Sequence, residues 1–414
     1  MTAIRLRNTW LVDDDAQVHQ GDFLLHPDGT WAASDGTEEV AQDIEASDRV
    51  ITRSLQNWHT HLAMTLLRSM GEGLTLQDWL NDVIFPTEKG LTPRLVEVGT
   101  RAAAAEMIRT GTTFACDMYH FAGATASVLA DAGLRALLAT PVTDFPTPAY
   151  PRGAAQALAQ AENLLSGPSP APGRISFGLG PHSVYTCSPD SLRKSRDLAA
   201  EFGATVSIHL CETEQEILDC VAMHGSPPTA YLDDLGLLTP GTVVAHCGWL
   251  DPQDHAVLAE RGAIAVHCPT SNMKLATRQT LPYPQLAGAG VDVRLGTDGV
   301  ASNNVLDMRA EVKTAALLQR HQAGDPTVLP PAEAWRMATR GSQDWVTWGL
   351  GDIRMHPMGS AAERLLGNLI FSTAECRDMW VAGRAIRRDG VTLTLDEAAV
   401  AEELEAAAAE LTGS

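Results

Sequence analysis

Val50-Ile-Thr-Arg-Ser-Leu-Gln-Asn-Trp-His59-Thr60-His61 is a β-branched and apolar run that ends in two histidines one residue apart. Side chains alternate along a strand, so this spacing puts both imidazoles on one face. Three further runs end in the same way. Thr205-to-Ile208 precedes His209, Thr242-to-Ala245 precedes His246, and Val291-to-Leu295 stands just before Asp298. Imidazole nitrogens with one carboxylate suit zinc, or iron, rather than magnesium. The four pieces therefore predict a single divalent metal held by His59, His61, His209 and Asp298.

Functional groups gathered at the C-terminal ends of parallel strands are the arrangement of a (β/α)8 TIM barrel. The sequence carries eight strand candidates: Leu55–Trp58, Thr113–Ala115, Ala136–Pro141, Ile175–Leu179, Thr205–Leu210, Thr242–His246, Ala263–His267 and Val293–Gly296. Helical stretches such as Leu95–Thr110 and Ala126–Ala132 lie between them and end at Gly111 and Gly133. No Gly-rich phosphate loop follows the first strand, which argues against an open dinucleotide-binding sheet. The expected fold is thus α/β, with a TIM barrel over residues 55–350. Short strands Ala3–Leu11, Phe23–Leu25 and Val50–Ile51, with Leu369–Phe371, Met379–Ala382 and Ala385–Ile386, predict a small β-sandwich built from 1–54 and 351–414. The Asp396–Glu410 stretch predicts a surface helix.

Composition narrows the function. The chain has 414 residues, 45% of them hydrophobic, and a net charge of −21. That charge disfavours nucleic acid and anionic membrane as partners. No apolar run reaches the roughly 18 residues of a membrane span, and the N-terminus shows no secretory signal. Seven cysteines without a Cys-x-x-Cys predict a reduced, cytoplasmic protein. The expected partner is a small-molecule substrate; a homo-oligomer is left open.

A catalytic metal keeps one position open for water and lowers that water's pKa to roughly 7. Glu212, three residues after His209, is placed to move protons as general acid and base. Asp298 can orient the water, and His246 can stabilise developing charge.

At these residues the chain resembles the amidohydrolase superfamily, in its mononuclear aminohydrolase branch. The motifs are Asn57-Trp58-His59-Thr60-His61, His209-Leu-Cys-Glu212, Val-Ala-His246-Cys, His267-Cys-Pro-Thr-Ser-Asn-Met-Lys-Leu and Gly296-Thr-Asp298-Gly-Val-Ala-Ser-Asn-Asn. The stretch from His61 through Trp79 to Glu88 is most similar to the 5-methylthioadenosine/S-adenosylhomocysteine deaminases. That resemblance implies that Glu88 holds a ribose diol, that His182 contacts the nucleoside and that Trp79 lines the pocket. It also adds Glu212 and His267 to the substrate contacts. His120, after Asp117-Met-Tyr, reads as a residue without a role. The family's arginines after the third strand are not clearly matched: Thr140-Pro141 occupies one place and Arg152 is a loose candidate for the other. No lysine on the fourth strand is available to bridge a second metal. The implied activity is zinc-dependent hydrolytic deamination of an adenine nucleoside, with iron as the alternative metal. The competing readings are a guanine, pterin or triazine hydrolase on the same scaffold and a non-catalytic barrel.

Overall fold

Each of the eight predicted runs folds as a strand in the computed structural model, which describes residues 3–358, 362–372 and 374–413. We label them β1 (Leu55–Thr60), β2 (Thr112–Asp117), β3 (Arg135–Val142), β4 (Ile175–Pro181), β5 (Ser207–Leu210), β6 (Val243–His246), β7 (Ile264–His267) and β8 (Asp292–Leu295). Strands β1 to β4 form one parallel sheet and β5 to β8 a second, each in chain order. A parallel bridge between Leu179 and Val206 joins β4 to the start of β5. At the other seam the Asp298 amide, just past β8, donates to the His59 carbonyl of β1 at 3.0 Å.

The strands are short and buried on both faces, so they read as apolar runs rather than alternating ones. Helices fill the crossovers that parallel pairing requires. The helix Pro93–Thr110 shows why they form where they do. The Thr92 side chain accepts the Leu95 amide, Pro93 opens the first turn, and Gly111 ends it at φ 87°. Its inner face buries Leu95, Met107 and Ile108. Each such side chain contributes about 1.5–3 kcal/mol when fully buried.

The terminal segments share one sheet of nine strands. Ile4–Val12 pairs with Val18–Leu25, with Gln42–Glu45 and with Arg49–Arg53. Arg49–Arg53 in turn pairs with Trp345–Gly349, which continues to Cys376–Val381 and Arg384–Arg388. Two expectations are corrected here. Trp345–Gly349 is hydrogen-bonded into the terminal sheet, although the sequence reading left 345–350 with the barrel. Leu369–Phe371 is no strand; it is the end of the helix Ala362–Phe371. Leu6, Leu11, Phe23, Ile51, Trp345 and Trp380 make a second, small core within this sheet. The closing helix Glu397–Thr412 is capped by Asp396 and lies along Pro93–Thr110.

Between β1 and Pro93 the chain crosses the strand ends as short turns of helix: Leu62–Leu67, Leu76–Asp78, Trp79–Ile84 and Phe85–Glu88. Among the described residues no helix is long and apolar enough to cross a membrane. All seven cysteines are free and buried.

Candidate active site

The C-terminal ends of β1, β5, β6 and β8 bring five polar side chains to one point. Ligand atoms of His59, His209 and His246 lie within 4.8 Å of one another, and so do those of His59, His61 and Asp298. The His61 Nε2 stands 3.1 Å and the His59 Nε2 3.5 Å from Asp298 Oδ1. Two glycines allow this approach. A Cβ at Gly296 would fall 2.8 Å from the His59 backbone, and one at Gly299 would fall 2.4 Å from the Met64 sulfur.

Neighbouring groups fix which ring nitrogen is free. His61 Nδ1 donates to the Met118 carbonyl at 2.6 Å, and His209 Nδ1 donates to the His182 carbonyl at 2.7 Å. Both Nε2 atoms are left facing the cluster, the usual orientation of a histidine ligand. Asp298 Oδ2 accepts from Ser271 at 2.6 Å and Ser302 at 2.9 Å, which leaves Oδ1 for the centre. His59 is fully buried, and among the described residues neither of its ring nitrogens has a hydrogen-bond partner. A buried imidazole left so is costly. A divalent cation would engage one of the two nitrogens, because metal ligation uses the neutral ring. Burial keeps His59 and His209 on the neutral side, their pKa values lowered. The donor set therefore fits a divalent metal.

Glu212 follows β5 and is buried beside this cluster, its Oε1 3.6 Å from His246 Nδ1. Burial, then the charges of Asp298 and Glu216, raises its carboxyl well above the ordinary range. Asn272 lies 3.2 Å from His246 Nδ1. Glu216 was not foreseen from sequence. Its two oxygens accept the amides of Cys211 at 2.9 Å and Glu212 at 2.8 Å, clamping the turn that carries Glu212.

A cavity of about 220 Å³ opens on these groups. Of the residues expected to touch substrate, Trp79, Glu88, His182 and Glu212 line it. Trp79 is held by a 3.1 Å bond to the Met70 carbonyl, and its ring closes one wall. His182 sits beside the cluster, and burial lowers its pKa to about 3. Glu88 borders the cavity too and accepts from the Tyr119 hydroxyl at 2.6 Å. Phe85 and Phe145, 5.6 Å apart between ring centres, form an apolar wall there. His267 is the exception. It is fully buried and does not line the cavity; its Nε2 lies 3.3 Å from Gln319, on the helix Met308–Ala323 behind β7. Its place among the substrate contacts is withdrawn. Tyr119 and His120, the latter expected to have no role, also line the cavity.

With that geometry established, comparison with known proteins is decisive. The model of the Amidohydrolase family matches residues 50–352. The chain belongs to the amidohydrolase family. This amidohydrolase is 41% identical to a 5-methylthioadenosine/S-adenosylhomocysteine deaminase of Nitratidesulfovibrio vulgaris over 341 residues, 80% of this chain and 76% of that protein. It is 44% identical to a 5'-deoxyadenosine deaminase of Methanoregula boonei over 308 residues, 74% and 69% of the two. Its fold superposes on the crystal structure of an adenosine deaminase from Xanthomonas campestris with bound zinc, at a TM-score of 0.92 and 30% identity, covering 100% of this chain and 99% of that one. It is accordingly a hydrolase acting on non-peptide C–N bonds, and its substrate is a small molecule.

Proposed function

We propose that this amidohydrolase removes the exocyclic amine of an adenine nucleoside as ammonia, using one zinc ion held by His59, His61, His209 and Asp298. One observation carries the reading. A single cavity is lined both by the metal-type donor cluster and by a buried carboxylate, Glu88. A heterocyclic base fits against the first, and the two hydroxyls of a ribose offer the second what a carboxylate accepts. The names of the similar deaminases support the same choice. A free base would leave Glu88 buried with Tyr119 as its one hydrogen-bonding neighbour.

When bound, the metal supplies an activated water. The side chains do the rest. Glu212, whose carboxyl burial biases toward holding a proton, takes a proton from the attacking water and gives it to the ring nitrogen beside the amino-bearing carbon. It then passes the second proton of that water to the departing amine, so that water's oxygen replaces the amine, ammonia leaves and Glu212 returns to its starting state. Glu216 holds the Glu212 turn in place through two amides. Asp298, braced by Ser271 and Ser302, keeps its free oxygen toward the reacting centre. His246 donates toward the oxygen that joins the ring. Trp79 and the Phe85–Phe145 wall exclude water from the pocket.

On this reading the two four-stranded sheets are one closed (β/α)8 barrel over residues 55–344. The nine-stranded terminal sheet curls around its own core as a small sandwich. The buried free cysteines fit a reducing cytoplasm.

The test is ammonia release from zinc-loaded protein. Adenosine, 5'-deoxyadenosine, methylthioadenosine and S-adenosylhomocysteine are compared with guanine, a pterin and an aminotriazine. At least one adenine nucleoside is the best substrate. A preference for guanine or the triazine would defeat the nucleoside assignment.

A further inference from the structure

Beside Glu88 the cavity is lined by a histidine that the mechanism above leaves unused. His120 stands three residues beyond β2, by the same strand-end logic that places the metal donors. It is only 8% exposed, and it lines the cavity together with Glu88 and Tyr119. Among the described residues its Nδ1 has no hydrogen-bond partner. Its Nε2 stands 3.6 Å from Glu88 Oε2, too far for a direct hydrogen bond.

The surroundings hold that gap open. The Tyr119 hydroxyl engages the other Glu88 oxygen, Oε1, at 2.6 Å. The Tyr119 ring packs against His120 at 5.2 Å and His61 at 6.1 Å between centres. Glu88 Oε2 and His120 Nε2 therefore face each other across the cavity margin, an acceptor opposite a nitrogen that can donate. A hydroxyl group satisfies both at once: it gives its hydrogen to the carboxylate and takes one from the imidazole. Which nitrogen of His120 bears the proton is set by such a partner.

We propose that His120 is a specificity-determining residue that donates from Nε2 to one ribose hydroxyl, the same hydroxyl that donates to Glu88 Oε2. The pair then recognises one particular hydroxyl of the diol, while Glu88 Oε1 accepts from the other with the lone pair that Tyr119 does not use. This rests on the nucleoside reading and adds a second polar residue to it. A purely structural His120, one that only props Glu88, would affect every nucleoside alike.

The experiment measures kcat/KM by ammonia release from adenosine, 2'-deoxyadenosine and 3'-deoxyadenosine. Zinc-loaded wild type, His120→Ala and His120→Asn are compared, with metal content checked in each. Losing one hydrogen bond in His120→Ala should lower kcat/KM for adenosine about fivefold to tenfold. One deoxy analogue should fall by the same factor. The other, which lacks the bridging hydroxyl, should change less than about twofold. His120→Asn keeps a donor and should recover part of the adenosine loss; if His120→Ala does not fold, its pattern against wild type reads the same split. Equal losses on all three substrates, or no loss on adenosine, would overturn the role of His120 and leave the deaminase reading intact. If wild type releases no ammonia from any nucleoside, the nucleoside reading fails and this proposal with it.

Discussion

The two ends of the cavity are built differently. At the metal end every group hangs from a strand terminus: His59 and His61 from β1, His209 and Glu212 from β5, His246 from β6 and Asp298 from β8. His61 and His209 are braced by backbone carbonyls, Asp298 by serines and the turn that carries Glu212 by another carboxylate. At the far end Glu88, Trp79 and Phe85 come from the short helical turns that cross the strand ends, and Phe145 comes from the loop after β3. Chemistry needs fixed geometry, and strands supply it. Selection among substrates tolerates construction on loops, where residues can change without disturbing the scaffold. Substitutions at the metal end should therefore cost all substrates alike, and substitutions at the far end should cost them unequally.

The largest effect belongs to the donor cluster. His59→Ala and Asp298→Ala should lose most of their metal by elemental analysis and nearly all turnover on every substrate. Full metal retention in both would remove these residues from the ligand set.

Glu212→Gln comes next. Gln is close to isosteric but cannot cycle a proton, so kcat should fall by about 10²–10⁴-fold with metal content unchanged. Turnover within a few-fold of wild type would place the proton transfers elsewhere.

Glu216→Ala removes two hydrogen bonds from the turn beneath Glu212. Such bonds are worth about 0.5–1.5 kcal/mol each. Turnover should drop roughly 10- to 100-fold in kcat, with KM and metal content little changed. A loss confined to KM would mean that Glu216 serves binding rather than the placement of Glu212.

The smallest and most selective effect is at Glu88. Glu88→Ala should lower kcat/KM for the best nucleoside at least about tenfold, the worth of one charge-assisted hydrogen bond. Free bases should be nearly indifferent to it. Equal effects on bases and nucleosides would erase the distinction between the two ends.

The same contrast explains what could be read without coordinates. The metal end was legible because each donor lies at the end of its own apolar run, a pattern local in sequence. His267 obeys the same pattern and misled, because strand-end position does not say which way a side chain turns. His267 turns behind β7 to Gln319. His120 was missed although it follows β2 in the same fashion; nothing local ties it to Glu88, 32 positions earlier. Glu216 looked like any acid in the first turn of a helix, where such residues are common. Only the fold shows that it turns back to the Cys211 and Glu212 amides. Leu369–Phe371 was taken alone as an apolar run. With Leu365 and Leu366 its spacing is that of one helix face, and all of these but Phe371 are buried in the helix Ala362–Phe371.

The central claim is that one metal at the strand ends powers deamination of a nucleoside. Metal-free protein titrated with zinc, with ammonia release from the best adenine nucleoside followed at each addition, tests it most directly. Activity should rise in proportion to zinc and level off at one equivalent per chain. A plateau at two equivalents, or ammonia release that does not depend on added metal, would contradict it.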